Sequence, residues 1–487
     1  MVRKMFFCKK RSYILLVLLY VYSDLAFSTS GLSQVVASMD SGSWSLVSQN
    51  SFNSVWTPPE YQVLPNSSYG SNFKSIIDAW SGFAWDSKRG DLILYGGGHA
   101  NYAGNDVYVW HSSNLQWERA SLPTQVSRYD LGDGKFTYFT VDDGVTPQSS
   151  HTYDNNVYLP TLDKFLTFGG YVFSNPGFPY NKPGDSTPVV STGPYLFDPS
   201  RADGAKVGGA NGTGVSSQSL GGDMWQNRDT YINSLSLEKP VSFGMGIADV
   251  VQVNNKDVVY VVANKQGVNG NFLYQYTIND LLDPSLDSWS IIGAPHDSTY
   301  AYQGSGAYDS INNLFVRTGD ASLGIPFLFW DLNAPGATNK QKSFSVKDET
   351  GGAFAFNSLA NMGMEYDPVG ERFLLWGSGD AVYTLTHEGI GLDEGWVLGL
   401  DNVLAQNDPG NGLANNFTEA GGVLGKWDYA SELGVFIGLK NSTNGDVWVY
   451  KPSNYIGNIN VPLPAAYVVF FSGFSLLLGI QRRKHKF

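Results

Sequence analysis

The chain has 487 residues, 55 of them glycine, and a formal net charge of −13. Its length allows one large domain or several of ordinary size, while its glycine content and its 14% aromatic residues favour an all-β protein with many turns. The negative charge argues against nucleic-acid binding, because proteins bind that polyanion through lysine and arginine.

Residues 1–28 have the pattern of an export signal. Basic residues precede an apolar run over Tyr13–Tyr22, and small residues ending at Ser28 supply the usual cleavage spacing. An uncleaved membrane anchor is the alternative. Cys8, the only cysteine, would leave with the signal. The mature protein would then have no thiol for a disulfide, a zinc-thiolate site or a nucleophile.

The body of the chain repeats one pattern of four short strands. Alternating apolar residues separated by turn-rich gaps predict these strands. In the first unit they lie at Ser81–Asp86, Asp91–Tyr95, Asp106–Trp110 and Gln116–Ala120. The order returns five times, and we expect an aromatic-aspartate pair to close the first strand of five units. The pairs are Trp85-Asp86, Tyr153-Asp154, Tyr308-Asp309, Tyr366-Asp367 and Trp427-Asp428.

Six four-stranded units predict a single all-β domain, a β-propeller, over residues 41–455. Radial repetition of this kind leaves only short sheet edges. The sixth unit lacks a fourth strand after Tyr450, and Ser41–Gln49 has the pattern of the missing strand. We therefore expect the N-terminal segment to pair with the last unit and close the ring, which removes an open edge.

The units resemble Kelch-repeat propellers, whose fold is that of galactose oxidase. The Kelch pattern is a strand ending in a glycine doublet, then an aromatic strand, then a strand bearing tryptophan. The matching residues are Gly96-Gly97, Tyr108 and Trp117 in the first unit and, less tightly, Gly169-Gly170, Tyr195 and Trp225 in the second. The resemblance implies the propeller fold but no particular activity. Copper oxidase chemistry of the galactose oxidase type is excluded, because it needs a tyrosine cross-linked to cysteine.

The glycine run Gly96–Gly98 and the following His99 connect the second and third strands of the first unit. Gly96 and Gly97 fit a position that needs positive φ or close packing. A phosphate-binding loop is excluded, because neither a helix nor a Gly-Lys-Ser/Thr terminus follows.

In a propeller, loops between second and third strands share a face with the starts of the innermost strands. His99 and His151 then belong to adjacent units on one face. They could ligate a metal or transfer protons, or each could simply satisfy a loop carbonyl and pack on aromatic rings. The residues predicted to bind a ligand on this face are Trp80, His99, Asn101, Tyr102, Asn105, His151, Gln303, Asp320, Asn361 and Asp380. Tyr171 and Lys426 are predicted on the same face.

Three classes of function remain open. The leading hypothesis is a non-catalytic binding protein for an exopolysaccharide or another surface partner, because Tyr and Trp stack on sugar rings while Asn, Gln and Asp bond hydroxyls. The second is a carbohydrate-active enzyme, and the third is a structural matrix protein. A polysaccharide lyase would use His99, His151, Tyr102 or Tyr153, with Arg228 or Arg317 neutralising a uronate. A glycoside hydrolase would pair two of the carboxylates of Asp320, Asp380 and Glu365.

No cofactor is predicted firmly. Calcium fits an acidic exported protein with aspartate-rich turns, but the sequence has no twelve-residue EF-hand loop.

Residues 461–487 carry a second targeting pattern. The apolar run Tyr467–Ile480 ends in basic residues, and counted from Val461 it is long enough to span a membrane. This segment resembles the PEP-CTERM sorting signals of bacteria. The matching residues are Val461, Pro462, Leu463, Pro464, Ala465, Ala466, Arg482, Arg483 and Lys484.

The PEP-CTERM resemblance implies transient membrane tethering, handling by an exosortase, and a final location at the cell surface or outside the cell. The departure from Pro-Glu-Pro leaves the cleavage position open. A plain tail anchor is the alternative.

Overall fold

The computed structural model describes residues 31–99, 101–142, 144–175, 193–209, 223–229, 240, 242–265, 270–297, 303–320, 324–377, 379–389, 391–401 and 421–456. The predicted export signal and sorting signal lie outside these residues. Within the described ranges, no helix is both long enough and apolar enough to cross a membrane.

Strands dominate the described residues. They are β1 (Ser43–Leu46), β2 (Gly82–Asp86), β3 (Asp91–Tyr95), β4 (Tyr108–His111), β5 (Gln116–Arg119), β6 (Val126–Gly132), β7 (Lys135–Thr140), β8 (Asn156–Leu159), β9 (Lys164–Thr167), β10 (Ser174–Asn175), β11 (Tyr195–Phe197), β12 (Trp225–Asn227), β13 (Ser242–Val253), β14 (Lys256–Asn264), β15 (Asn271–Thr277), β16 (Ser288–Gly293), β17 (Gly306–Asp309), β18 (Leu314–Asp320), β19 (Ile325–Asp331), β20 (Lys342–Ser343), β21 (Val346–Asp348), β22 (Gly363–Asp367), β23 (Arg372–Trp376), β24 (Val382–His387), β25 (Trp396–Leu400), β26 (Trp427–Ala430), β27 (Val435–Lys440) and β28 (Asp446–Lys451). The α-helices are α1 (Gly31–Ser38) and α2 (Ser75–Asp78). Short 3-10 helices span Phe52–Val55, Pro59–Tyr61, Pro199–Arg201, Pro284–Leu286 and Phe356–Asn361.

Four-stranded antiparallel sheets repeat along the chain. In the described part their strand orders are β2-β3-β4-β5, β8-β9-β11-β12, β13-β14-β15-β16, β17-β18-β19-β20, β22-β23-β24-β25 and β26-β27-β28-β1. Strand β21 extends the fifth sheet by pairing parallel to β25, and β6, β7 and β10 form a separate three-stranded sheet. The protein is therefore all-β, and its repeated sheets are consistent with a β-propeller.

The first strands of successive sheets contact one another. Strand β2 contacts β8, and contacts continue through β13, β17, β22 and β26 back to β2. Aspartates join some of these neighbours, because a first strand has a ladder partner on only one side and its other N–H groups need acceptors. Asp428 Oδ2 accepts from the backbone N–H of Trp85 (2.8 Å), and Asp249 Oδ2 accepts from the backbone N–H of Tyr308 (2.7 Å).

Strand β1 supplies the fourth strand of the last sheet. It pairs antiparallel with β28, with Trp44 opposite Tyr450 and Leu46 opposite Trp448. Trp44 is 1% exposed, and its indole N–H donates to the Asp380 carbonyl (2.9 Å). An element from the N-terminal part of the chain thus completes a sheet formed near residue 450.

Two of the aromatic-aspartate pairs were assigned wrongly to strand ends. The other three pairs end β2, β17 and β22 as predicted. Tyr153-Asp154 instead precedes β8, and Trp427-Asp428 begins β26. In both places the strand lies mainly in the residues that follow the pair, and it ends at Leu159 and Ala430. The same two letters therefore mark different positions in different sheets.

Candidate functional site

A glycine after β3 allows two loops to meet. The Gly98 N–H donates to Ser149 Oγ (2.9 Å). Gly98 has a φ of +64°, and a Cβ there would lie 2.4 Å from Ser150 Cα. Only glycine fits so close an approach at this φ. The glycine run therefore lets the loop carry His99 against the segment that contains His151.

The loop after β9 joins the same cluster. The backbone N–H of His151 donates to the Tyr171 carbonyl (2.9 Å), and a Cβ on Gly170 would lie 2.1 Å from the backbone oxygen of His151. The Tyr171 ring then lies edge-on to His99, with centroids 5.9 Å apart at 80°.

Trp80, His151 and His99 form a three-layer stack, which we call the histidine stack. The two imidazole centroids are 5.2 Å apart at an interplanar angle of 13°, and the Trp80 and His151 centroids are 4.9 Å apart at 31°. His151 is covered on both faces and is 2% exposed, while Trp80 and His99 remain partly exposed. The fold thus brings together the two histidines that the sequence placed on adjacent units.

The backbone at the histidine stack is strained. Trp80, His99 and Tyr153 adopt φ values of +48°, +33° and +50°. A residue other than glycine in this region costs about 1 kcal/mol or more, and such conformations cluster at functional sites. The interlocked loops hold all three residues in this state.

Both imidazoles of the stack are uncharged at neutral pH. Burial, with smaller effects of His99 and Lys426, lowers the pKa of His151 to about 3. Burial also lowers the pKa of His99. Lys426 itself is 4% exposed and donates to the Ser81 carbonyl (3.1 Å). The stack can therefore exchange hydrogen bonds with a ligand without presenting a cation.

Asn101 sets the tautomer of His151. Its Oδ1 lies 3.0 Å from His151 Nε2, and an amide oxygen only accepts, so the proton is on Nε2. Asn72 helps to hold Asn101 in place by donating from Nδ2 to its backbone carbonyl (3.2 Å).

Tyr153 lies beneath the histidine stack. Its ring is edge-on to His151, with centroids 5.8 Å apart at 81°, and it is 3% exposed. Burial, together with the neighbouring Tyr171, raises the pKa of its phenol. The phenol stays protonated at neutral pH, so it could donate a hydrogen bond but could not serve as a base.

Two predicted amides adjoin the stack through the loop before β26. Gln303 Nε2 donates to Asn361 Oδ1 (3.0 Å), and the Asn361 carbonyl accepts from the Val423 N–H (2.7 Å). In the same loop, a Cβ on Gly421 would lie 2.4 Å from Trp80 N. Both amide side chains are partly exposed.

Tyr102 and Asn105 do not join this surface. Tyr102 is fully buried, and its hydroxyl donates to Asp106 Oδ1 (2.8 Å). Asn105 is 2% exposed, donates to the Pro147 carbonyl (2.8 Å) and accepts from the Thr124 N–H (2.8 Å). Both side chains stabilise the loop from below, because their polar atoms satisfy buried partners.

The two arginines predicted to neutralise a uronate are not open to a ligand. The Arg228 side chain is fully buried and pairs with Asp287 (Nη2 to Oδ1, 2.5 Å). Arg317 is 3% exposed and donates from Nε to the Thr318 carbonyl (3.0 Å). Burial lowers the pKa of Arg317 to about 10.

The predicted carboxylates lie in separate places. Asp320 ends β18, and Asp380 precedes β24. Glu365 lies in the inner strand β22, where burial and then neighbouring carboxylates raise its pKa. Those neighbours are Asp428, Asp249 and Asp154. Glu365 therefore belongs to a group of acids, in the inner strands or just before one of them, that the sequence did not reveal, because its members lie far apart in the chain.

In the part of the chain that the structure describes, no group of three His, Cys, Asp or Glu side chains could hold a metal ion. Calcium therefore remains a prediction without a site among those residues.

The comparisons with known proteins identify no family for the chain. No protein-family model and no curated protein matches the chain. Among solved structures, it is similar to an α-L-arabinanase of Penicillium chrysogenum complexed with arabinobiose, at 12% identity and a TM-score of 0.33, covering 82% of this chain and 97% of that chain. It is also similar to the Dos1 propeller, at 10% identity and a TM-score of 0.31, covering 76% of this chain and 92% of that chain. These are distant similarities to β-propellers and show no family.

Proposed function

We propose that the protein is an exported, non-catalytic glycan-binding propeller that takes uncharged sugar residues at the histidine stack. The single observation behind this proposal is the stack itself, in which two neutral imidazoles lie nearly parallel, a tryptophan ring packs on one of them at 31°, and the outer members Trp80 and His99 are partly exposed. Aromatic faces of this kind bind the C–H faces of sugar rings, and nearby amides bond the hydroxyls.

The surroundings of the stack favour an uncharged ligand over an acidic one. Asn101, Gln303 and Asn361 offer partly exposed amides. The neighbouring cation, Lys426, is buried and donates to a backbone carbonyl. A uronate would lose hydration here without gaining a partner of opposite charge.

We do not extend the proposal to eliminative cleavage. A lyase needs a base and a cation beside the uronate, whereas Tyr153 keeps its proton and both candidate arginines are buried. The neutral histidines could still act as bases, so an assay for unsaturated products belongs in the test.

The architecture we propose is a Kelch-like propeller of six blades, closed by β1. The cyclic contacts of the first strands and the pairing of β1 with β28 support it. We further propose that residues 1–28 direct export and that 461–487 act as a PEP-CTERM signal read by an exosortase, which would leave the propeller on the cell surface of a bacterium. Support for both is the residue pattern of the two ends.

A glycan array with the purified protein tests the binding proposal. We expect neutral oligosaccharides to bind, and His99→Ala to weaken binding by about tenfold or more, as loss of a stacking ring does. His387→Ala is the control, because that histidine packs on Trp396 in the fifth sheet. Equal weakening by both variants, or selective binding of uronates with release of unsaturated product, would contradict the proposal.

A further inference from the structure

A cavity lies between the first strands of the sheets. Its volume is about 550 Å³. Its walls extend to the turns that follow these strands, where Ser87, Ser310 and Ser431 line it. Trp80 and His151 of the histidine stack precede the starts of β2 and β8, whereas these turns follow the ends of such strands. We call this cavity the carboxylate cavity.

Four acids, three in first strands and one just before β8, line the carboxylate cavity. They are Asp154, Asp249, Glu365 and Asp428. Among all the described residues that line it, none is a lysine, arginine or histidine. Burial raises the pKa of Asp249 to about 6 and that of Asp428 to about 7. Acids that face one another across a cavity without a cation are costly to ionise together, and an opposite charge in the cavity would relieve that cost.

Backbone N–H groups use only part of the hydrogen-bonding capacity of these carboxylates. Asp249 and Asp428 each accept from two backbone N–H groups, and Asp154 accepts from the Gly306 N–H (3.0 Å). A carboxylate has about four acceptor positions, so each retains capacity for a further donor.

One wall of the carboxylate cavity carries an unsatisfied acceptor. Asn156 is 7% exposed and lines the cavity. Its Nδ2 donates to the carbonyls of Gly82 (2.8 Å) and Tyr95 (3.1 Å), which fixes the orientation of the amide. Its Oδ1 has no hydrogen-bond partner among the described residues. Buried acceptors in folded proteins nearly always find a donor, so this atom is a second indication of a polar ligand.

The size and walls of the cavity favour an organic cation over a metal ion. Among the aromatic residues that line it, Tyr308 and Tyr429 are partly exposed. Aromatic faces attract ammonium groups and stack on sugar rings. A bare metal ion needs several ligands at short distance, and no group of three suitable side chains exists in the described ranges.

We propose that the carboxylate cavity is a binding site for an amine-bearing sugar. The ammonium group lies among the carboxylates of Asp249, Glu365 and Asp428, and the sugar ring lies against the tyrosines of the wall. The site is separate from the histidine stack and does not depend on the function proposed for the stack.

Calorimetry with two matched trisaccharides tests this site. The probes are the trimer of β-1,4-linked glucosamine and its fully N-acetylated form, in which an uncharged acetamido group replaces each ammonium group. We expect the amine form to bind at least about tenfold more tightly, because the acetylated form leaves the acids unpaired. Equal affinity of the two probes, or binding of neither, would overturn the proposal without the use of any variant.

Variants locate the binding. Asp428→Asn and Glu365→Gln should each weaken the amine trimer by about tenfold or more. Asp297→Asn, which removes an exposed charge paired with Lys340, should leave its affinity unchanged. The preference for the amine form over the acetylated form should persist in the His99→Ala protein, which separates this site from any sugar binding at the stack. A loss of affinity for the amine trimer in the Asp297 variant would indicate non-specific electrostatic attraction. Calcium binding that depends on Asp428 and Glu365 would indicate a metal site. Either result overturns the proposal.

Discussion

Trp44 offers the sharpest test of the fold, because it joins the N-terminal segment to the last sheet. Its ring lies 5.1 Å from that of Trp376, 5.6 Å from Trp427 and 4.9 Å from Tyr450, and it is 1% exposed. A buried tryptophan removes about 200 Å² from water, worth about 5 kcal/mol at about 25 cal/mol/Å². Measured costs of replacing buried tryptophan by alanine are about 3–5 kcal/mol. Trp44→Ala should therefore lower the free energy of unfolding by about 3–5 kcal/mol.

Urea unfolding followed by tryptophan fluorescence measures this loss. Leu46→Ala is the matched control, because Leu46 lies on the same strand but is 49% exposed. We expect the control to cost less than about 1 kcal/mol. If the two variants lost the same stability, β1 would not be an integral strand of the last sheet, and our account of how the chain is completed would be wrong.

Three further predictions concern the interior. Gly98→Ala should destabilise the protein by about 2 kcal/mol or more, because the new methyl group meets the backbone of Ser150. The control Gly351→Ala, at a φ of +69° with open space around it, should cost only about 1 kcal/mol. Melting curves compare the two variants, and equal losses of stability would contradict the packing argument. The His151 ring should remain neutral in an NMR titration down to about pH 4, because burial lowers its pKa to about 3; protonation near pH 6.5 would contradict the stacked geometry. Asp428 has a folded pKa raised to about 7 against about 3.9 in the unfolded chain, so its contribution to stability is present below about pH 4 and is lost as the pH rises to about 7. Asp428→Asn should therefore gain stability relative to the wild type between about pH 4 and 7 in urea unfolding, and parallel stability curves would exclude the raised pKa.

The architecture was largely readable from the sequence, because each strand carries its own period-two pattern. The strands predicted for the first unit agree with β2 to β5 to within two residues at each end. The pairing of the N-terminal segment with the last sheet was also predictable, since a unit missing one strand needs a partner for its open edge. Tyr153-Asp154 misled the assignment because a two-residue motif says nothing of where the following strand stops.

The histidine stack was predictable only in part. Loop order along a repeated fold placed His99 and His151 on one face, but not whether a loop residue points outward or into the core. Tyr102 and Asn105 belong to the same loop as Asn101, yet both are buried. The carboxylate cavity escaped prediction for a different reason: its acids come from sheets far apart in the chain, and each alone resembles a solvated residue of an acidic protein.

The most direct test of the proposed function observes the histidines themselves while a glycan binds. The chain has only six histidines, so selective ¹³C labelling of their rings gives a spectrum in which each can be assigned by substitution. Addition of a neutral oligosaccharide selected on the array should shift the signals of His99 and His151 and leave those of His111 and His387 in place. Saturable binding that moves His111 or His387 while the two stacked rings stay unchanged would contradict the account.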